Sequence, residues 1–157
     1  MRLVPVALLL SACAGRAPIV PDTTTFVGVG GVDHVGLTVT DLQASQELFV
    51  DVFDFRVRGE DPEYPAVFLT NDVVTITLWQ ASDPANAVAF DRKNNVGLHH
   101  LALKVSSFDA LDALYAELQT IEGVTIAFAP ELSYGGPAKH MMFTEPSGNR
   151  IELIHRP

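Results

Sequence analysis

The sequence predicts an α+β fold built from two modules, each with the element order βαβββ. The stretch HVGLTVTDLQASQELF begins at His34, and HLALKVSSFDALDALY begins at His100. Both run from a histidine through alternating apolar residues to a polar helix cap and an amphipathic helix. Three further stretches with strand character follow each copy. This repeat predicts a domain at residues 32–157, with modules at about 32–80 and 97–157.

The first module begins with a half-buried strand, in which Val35, Leu37 and Val39 alternate with small or polar residues. Thr40 is the predicted cap of the following helix, and Gln43 stands three positions later, as in a capping box. The remaining strands of this module are predicted at 55–59, 66–70 and 73–79.

The second module repeats the pattern with a strand over 98–105. Ser106 and Asp109 form a second capping-box pattern before a helix over 108–121, and Gly123 ends that helix. The remaining strands of this module are predicted at 124–128, 139–144 and 150–155.

Strand parity predicts where the histidines point. In the second module Leu101 and Leu103 make an apolar face that packs on the helix, so His100 faces the opposite, concave side. The same alternation places His34 on the concave face of the first module. His99 is then predicted to face the helix side, near the start of the strand.

The last strand supplies a carboxylate to the same concave face. Ile151 and Leu153 pack on the helix, which leaves Glu152 on the other side. A carboxylate in a half-buried strand needs a charge partner, and a metal is one. The set of His34, His100 and Glu152 therefore predicts a site for one divalent metal ion with coordination positions left open.

Two further residues are candidates for catalysis. His140 is expected to face the cleft as an acid or base, although a solvent-facing histidine near a strand start is an equal alternative. Arg150 either binds an anionic group of the substrate or pairs with a nearby acid. Trp79 and Phe90 are expected in the core rather than in a pocket.

The N-terminus predicts export and lipid anchoring. Residues 1–12 have the charge and apolar run of a signal peptide, and LSAC resembles the bacterial lipoprotein box, with Cys13 as the lipidated residue. The alternative is a cleaved signal with an incidental cysteine. Ala14 favours the outer membrane, residues 13–31 form a tether, and the domain is expected to face the periplasm.

Composition excludes several classes of protein. The chain is 48% hydrophobic and 18% charged, which supports a folded core rather than disorder. Its formal net charge is −9, and its basic residues are scattered. A nucleic-acid partner is therefore not expected, because phosphate binding needs clustered lysine and arginine.

The stretches VDHVGLTVTDLQAS, GLHHLALKV and FTEPSGNRIELI resemble the vicinal oxygen chelate superfamily over residues 32–155. The superfamily includes glyoxalases, extradiol dioxygenases and bleomycin-binding proteins. The resemblance implies a curled mixed sheet around a metal-binding cleft, a small oxygen-chelating substrate, and lyase, isomerase or ring-cleaving dioxygenase chemistry. The alternative is a metal-free module that sequesters a small molecule or drug.

Many superfamily members carry a fourth ligand, Glu or Gln, where this chain has Thr77. The remaining set of two histidines and a glutamate is similar to that of the extradiol dioxygenases and the fosfomycin-modifying transferases. The ion is expected to be Fe, Mn, Ni or Zn. The resemblance also implies a possible homodimer, and the cleft forms either within one chain or between two.

Overall fold

The computed structural model describes residue 28 and residues 30–157. The predicted signal peptide, Cys13 and most of the predicted tether lie outside these residues. One structural unit spans Val32–Pro157. Within the described residues, none of the helices combines the length and the apolar character that a membrane crossing requires.

The element order is βαβββ twice, as the repeat predicts. The first module contains β1 His34–Val39, helix α1 Leu42–Glu47 with a π-helical continuation Leu48–Val52, β2 Arg56–Asp61, β3 Ala66–Thr70 and β4 Thr75–Gln80. The second contains β5 Leu101–Lys104, helix α2 Phe108–Leu118, β6 Thr125–Leu132, β7 Lys139–Thr144 and β8 Arg150–His155.

Each module forms its own four-stranded mixed sheet. The strand orders are β1-β4-β3-β2 and β5-β8-β7-β6, so the first and last strands of each module are neighbours. These neighbours are parallel, and the other pairs are antiparallel. The two sheets are equivalent in register, because Gly36 pairs with Thr77 as Ala102 pairs with Glu152.

The helices cover one face of each sheet, and the buried apolar residues of both modules join in one core. On β1 the buried residues alternate, as the sequence predicts, and on β8 the residues that join this core are Ile151 and Leu153. Each fully buried large side chain stabilises the fold by about 1.5–3 kcal/mol. The largest members of this core are Leu48, Phe49, Leu69, Ile76, Leu78, Leu111, Leu118, Met141, Phe143, Ile151 and Leu153.

In both helices the N-cap is one residue later than predicted, although α2 begins at Phe108 as expected. The N-cap of α1 is Asp41 rather than Thr40, and its carboxylate accepts a hydrogen bond from the Ala44 amide at 2.9 Å. The N-cap of α2 is Ser107 rather than Ser106. In both pairs the two neighbours are capping residue types, so the sequence alone does not decide which one turns its oxygen back to the helix.

Helix α2 ends at Leu118, three residues before its predicted end. The chain then turns through Gly123, which has a φ of +80°. A Cβ at Gly123 would lie 3.1 Å from Cβ of Pro146. Glycine is therefore required there both by the left-handed backbone and by the close approach of the turn at 145–149.

A buried carboxylate in the 145–149 turn joins the two modules. Glu145 is only 1% exposed. One of its oxygens accepts a hydrogen bond from Ser45 Oγ of helix α1 at 2.5 Å, and the other accepts from the Asn149 amide at 3.0 Å. A buried charge is tolerated when such bonds satisfy it, so this contact fixes the second module against the first.

The same turn contacts the end of β1 through two more side chains. Ser147 Oγ accepts hydrogen bonds from the backbone amides of Thr40 and Asp41 at 3.0 and 3.1 Å. Asn149 Nδ2 donates to the carbonyl of Thr38 at 2.9 Å. We call Glu145, Ser147 and Asn149, with their partners in the first module, the module clasp.

Replacing Glu145 by alanine is expected to lower the free energy of unfolding by about 2–4 kcal/mol, because it leaves Ser45 and Asn149 donors without acceptors in a buried site. Urea unfolding followed by circular dichroism measures the change. The exposed Glu122→Ala is the matched control, with a change within about 0.5 kcal/mol. Equal stabilities for the two variants would contradict the clasp.

Candidate functional site

Glu152 is the central side chain of the candidate site. It lies in the middle of β8 and is 9% exposed. Its neighbours Ile151 and Leu153 belong to the core, so its carboxylate is on the opposite face of the sheet. In the sheet register, the residues opposite Glu152 are Met142 on β7 and Ala102 on β5.

Two histidines bind the two oxygens of this carboxylate. His100 Nε2 lies 3.0 Å from Glu152 Oε2, and His140 Nδ1 lies 2.5 Å from Oε1. His140 pairs with Ile154 and is therefore diagonal to Glu152 on the neighbouring strand. His100, just before β5, approaches from the other side. We call this arrangement the His100–Glu152–His140 row.

His34, the third predicted metal ligand, is not part of this row. Its Nδ1 lies 2.7 Å from Asp33 Oδ1, and its side chain is 54% exposed. Among the residues that the structure describes, no three His, Cys, Asp or Glu side chains converge closely enough to hold a metal ion. The alternation of residues along β1 predicts the face on which His34 lies. It does not predict how far His34 lies from the histidines and the carboxylate of the second module.

In the first module, Thr77 occupies the position equivalent to Glu152, opposite Gly36. Thr77 Oγ1 accepts a hydrogen bond from Trp79 Nε1 at 2.9 Å. A Cβ on Gly36 would lie 3.3 Å from Thr77 Oγ1 and 3.5 Å from the indole nitrogen. The space over Gly36 is therefore filled by the side chains of Thr77 and Trp79.

The two adjacent histidines lie side by side, and the prediction that His99 faces the helix side is wrong. Strand β5 starts at Leu101, so both histidines precede it. Their Nδ1 atoms are 2.9 Å apart, and their ring centroids are 5.2 Å apart. Alternation between faces holds only within a strand, and it does not govern the residues that lead into one.

Arg150, at the start of β8, lies beside this pair, with Nη1 3.5 Å from His99 Nδ1. Partial desolvation, and then the positive charge of Arg92, lower the pKa of Arg150, whereas Glu152 opposes them. The pKa of His99 is also lowered, first by desolvation and then by the charges of Arg150, His100 and Arg92. The lowered pKa of His99 favours its neutral form, so the positive charge beside the cavity comes from the arginines.

A cavity of about 240 Å³ lies beside the row. Its walls come from β1, from the segment 90–98, and from the residues at the starts of β5 and β8. Phe90, expected in the core, is 37% exposed and lines this cavity. The sequence signal for the role of Phe90 in the cavity wall was its position as an isolated aromatic residue in the polar segment that connects the modules. The residues that line the cavity include Gly36, Thr38, Phe90, Asn95, Leu98, His100, Asn149 and Arg150.

His100, which lines the cavity, and Glu152 have a spacing that fits two ligands of one divalent metal ion. Two ligands with bonds of about 2.1 Å that meet at a right angle are about 3.0 Å apart. That is the spacing of His100 Nε2 and Glu152 Oε2. His140 on the other carboxylate oxygen matches the outer partners that orient metal-binding carboxylates. His140 does not line the cavity, so its observed contact with the site is through Glu152.

A profile of the Glyoxalase/Bleomycin resistance protein/Dioxygenase superfamily matches residues 31–153. The chain therefore belongs to this superfamily, as the sequence resemblance implies. Superfamily members bind small molecules, commonly use a divalent metal and often form dimers.

Among curated proteins, a 2-epi-5-epi-valiolone epimerase from Actinomyces sp is 28% identical to this chain, over 83% of this chain and 81% of the epimerase. This relative supports an enzyme-like role.

Three solved structures share the fold. A glyoxalase/bleomycin resistance protein/dioxygenase domain from Frankia sp. EAN1pec has a TM-score of 0.69 at 21% identity, over 83% of this chain and 100% of that one. A fosfomycin resistance protein from Listeria monocytogenes has a TM-score of 0.65 at 16% identity, over 83% and 96%. A lactoylglutathione lyase from Agrobacterium tumefaciens has a TM-score of 0.60 at 16% identity, over 81% and 94%.

Replacing Arg150 by glutamine is expected to raise the pKa of His99, because it removes a positive charge that disfavours the imidazolium. Proton NMR of the His99 ring during a pH titration of metal-free protein measures the midpoint. Arg156→Gln, which removes an exposed charge near the C-terminus, should leave the midpoint unchanged. An unchanged His99 midpoint in the Arg150 variant would show that the two side chains are not neighbours in solution.

Proposed function

We propose that the protein is a divalent-metal-dependent enzyme of isomerase type that acts on a small oxygen-chelating substrate. The observation that carries this proposal is the pair of Glu152 and His100, a buried carboxylate 3.0 Å from an imidazole that lines a cavity. The epimerase relative favours isomerase over lyase or dioxygenase chemistry.

His100 and Glu152 supply two metal ligands, and His34 of a second copy supplies the third. The His34 side chain is 54% exposed, and among the described residues it bonds only to its neighbour Asp33, which supports a role as a ligand from another subunit. Nitrogen and oxygen donors of this kind suit Fe, Mn, Ni or Zn. When bound, such an ion supplies positive charge that stabilises an enolate or alkoxide oxygen of the substrate.

The protein residues bind and orient the reacting parts. His140 is a positioning residue, because its 2.5 Å contact with Glu152 Oε1 leaves Oε2 directed to His100. Arg150 lines the cavity and contacts the substrate directly. Phe90 and other residues of the segment 90–98 form one wall of the cavity.

A second candidate is a binding module without a metal. Both oxygens of Glu152 already have histidine partners, so the His100–Glu152–His140 row is complete as a hydrogen-bonded network. In that case the cavity holds a small molecule or drug without changing it. The content of bound metal separates this candidate from the enzyme.

Protein purified without chelator is expected to contain close to one divalent ion per chain. Glu152→Ala and His100→Ala should each weaken metal binding by at least about tenfold, because each removes a donor. Metal content measured by inductively coupled plasma mass spectrometry tests this. Glu122→Ala and His99→Ala, which remove an exposed carboxylate and the neighbouring imidazole, should retain the ion. Metal-free wild-type protein would favour the binding module.

We propose that the protein is a lipoprotein anchored through Cys13 to the bacterial envelope, preferably the outer membrane, with its domain in the periplasm. The support is the LSAC stretch after the apolar run at 3–10. Expressed in a Gram-negative host with labelled palmitate, the wild-type chain should incorporate label and fractionate with membranes. Cys13→Ser should lose both properties. Soluble, unlabelled wild-type protein would overturn the proposal.

A further inference from the structure

We propose that Arg150, which lines the cavity, and the neighbouring His99 form an anion subsite, so that the substrate carries a carboxylate or phosphate group. This inference rests on the proposed function, because it names the substrate class of the same cavity. It makes Arg150 a specificity-determining residue.

Among the described residues, neither Arg150 nor Arg92 has an acidic partner within 4.0 Å. In the part of the chain that the structure describes, ion pairs within 4.0 Å join Arg56 to Asp72 and Lys139 to Asp112, but none involves Arg150 or Arg92. The chain carries a formal net charge of −9, so acidic residues are abundant. Arg150 is partly buried, and a desolvated guanidinium without a partner is unfavourable until an anion binds.

The nearest carboxylates are already engaged. Both oxygens of Glu152 contact histidines. Asp91 lines the cavity, but its Oδ1 accepts the Lys93 amide at 2.8 Å and its Oδ2 accepts Asn94 Nδ2 at 2.6 Å. These bonds lower the pKa of Asp91 and hold its carboxylate within its own loop. The positive charge at Arg150 therefore remains available to a ligand.

The position of Arg150 on β8 determines how far a bound anion lies from the proposed metal ligands. Arg150 and Glu152 are two residues apart on β8, so their side chains lie on the same face, roughly 7 Å apart along the strand. His100 lines the cavity together with Arg150. A small substrate whose oxyanion binds the guanidinium through two hydrogen bonds therefore places its other oxygens next to His100 and Glu152.

The test uses the folded protein after metal removal by a chelator, so that an anion cannot bind through the ion. Inorganic phosphate and acetate are titrated separately at constant ionic strength, and binding is measured from NMR shifts of the His99 ring and of backbone amides at 95–100. We expect saturable binding by at least one anion, and the tighter one identifies the substrate group. Arg150→Gln should weaken it by about tenfold or more, since a charge-assisted hydrogen bond is lost.

Arg92→Gln should weaken the same binding several-fold, Arg150→Lys should retain part of it, and Arg156→Gln should leave it unchanged. Binding that is equal in wild type and Arg150→Gln, or no saturable binding by either anion, would overturn the proposal. If Arg150→Gln does not fold, Arg150→Met, which removes the charge but keeps an unbranched side chain, is used for the same comparison. Because the protein is metal-free, failure here leaves the metal measurement on Glu152 and His100 untouched, and the two proposals fail separately.

Discussion

The buried carboxylate of Glu145 is the constraint on which the arrangement of the two modules depends. A carboxylate this deeply buried needs its hydrogen bonds, and they come from Ser45 in one module and Asn149 in the other. The clasp therefore holds the end of β1 against the start of β8. That contact brings Thr38 and Arg150 to the lining of the same cavity.

The two modules share a fold but differ in chemistry. At equivalent positions the second module has Glu152 next to His100, and the first has Thr77, whose oxygen is bonded to Trp79. The second module therefore supplies the charged groups of the site, and the first supplies a wall. Because the first module has Thr77 where the second has Glu152, the candidate site is asymmetric.

The sequence was sufficient for features that depend on local pattern. The repeat predicts the element order, and alternation in β8 predicts the face of Glu152. The sequence did not predict features that depend on contacts between distant parts of the chain. Strand β5 starts later than the apolar pattern does, so His99 lies beside His100. The distance of His34 from the His100–Glu152–His140 row depends on how the two modules pack together, which cannot be predicted from local sequence patterns.

The central claim is that His100 and Glu152 hold a metal ion with His34 of a second copy. The most direct measurement is anomalous diffraction at the manganese edge from crystals soaked in Mn²⁺. We predict one strong peak at each site, at about 2.0–2.3 Å from His100 Nε2 and Glu152 Oε2 of one chain and His34 of another. A map with manganese bound elsewhere, or with none next to Glu152, would contradict the claim.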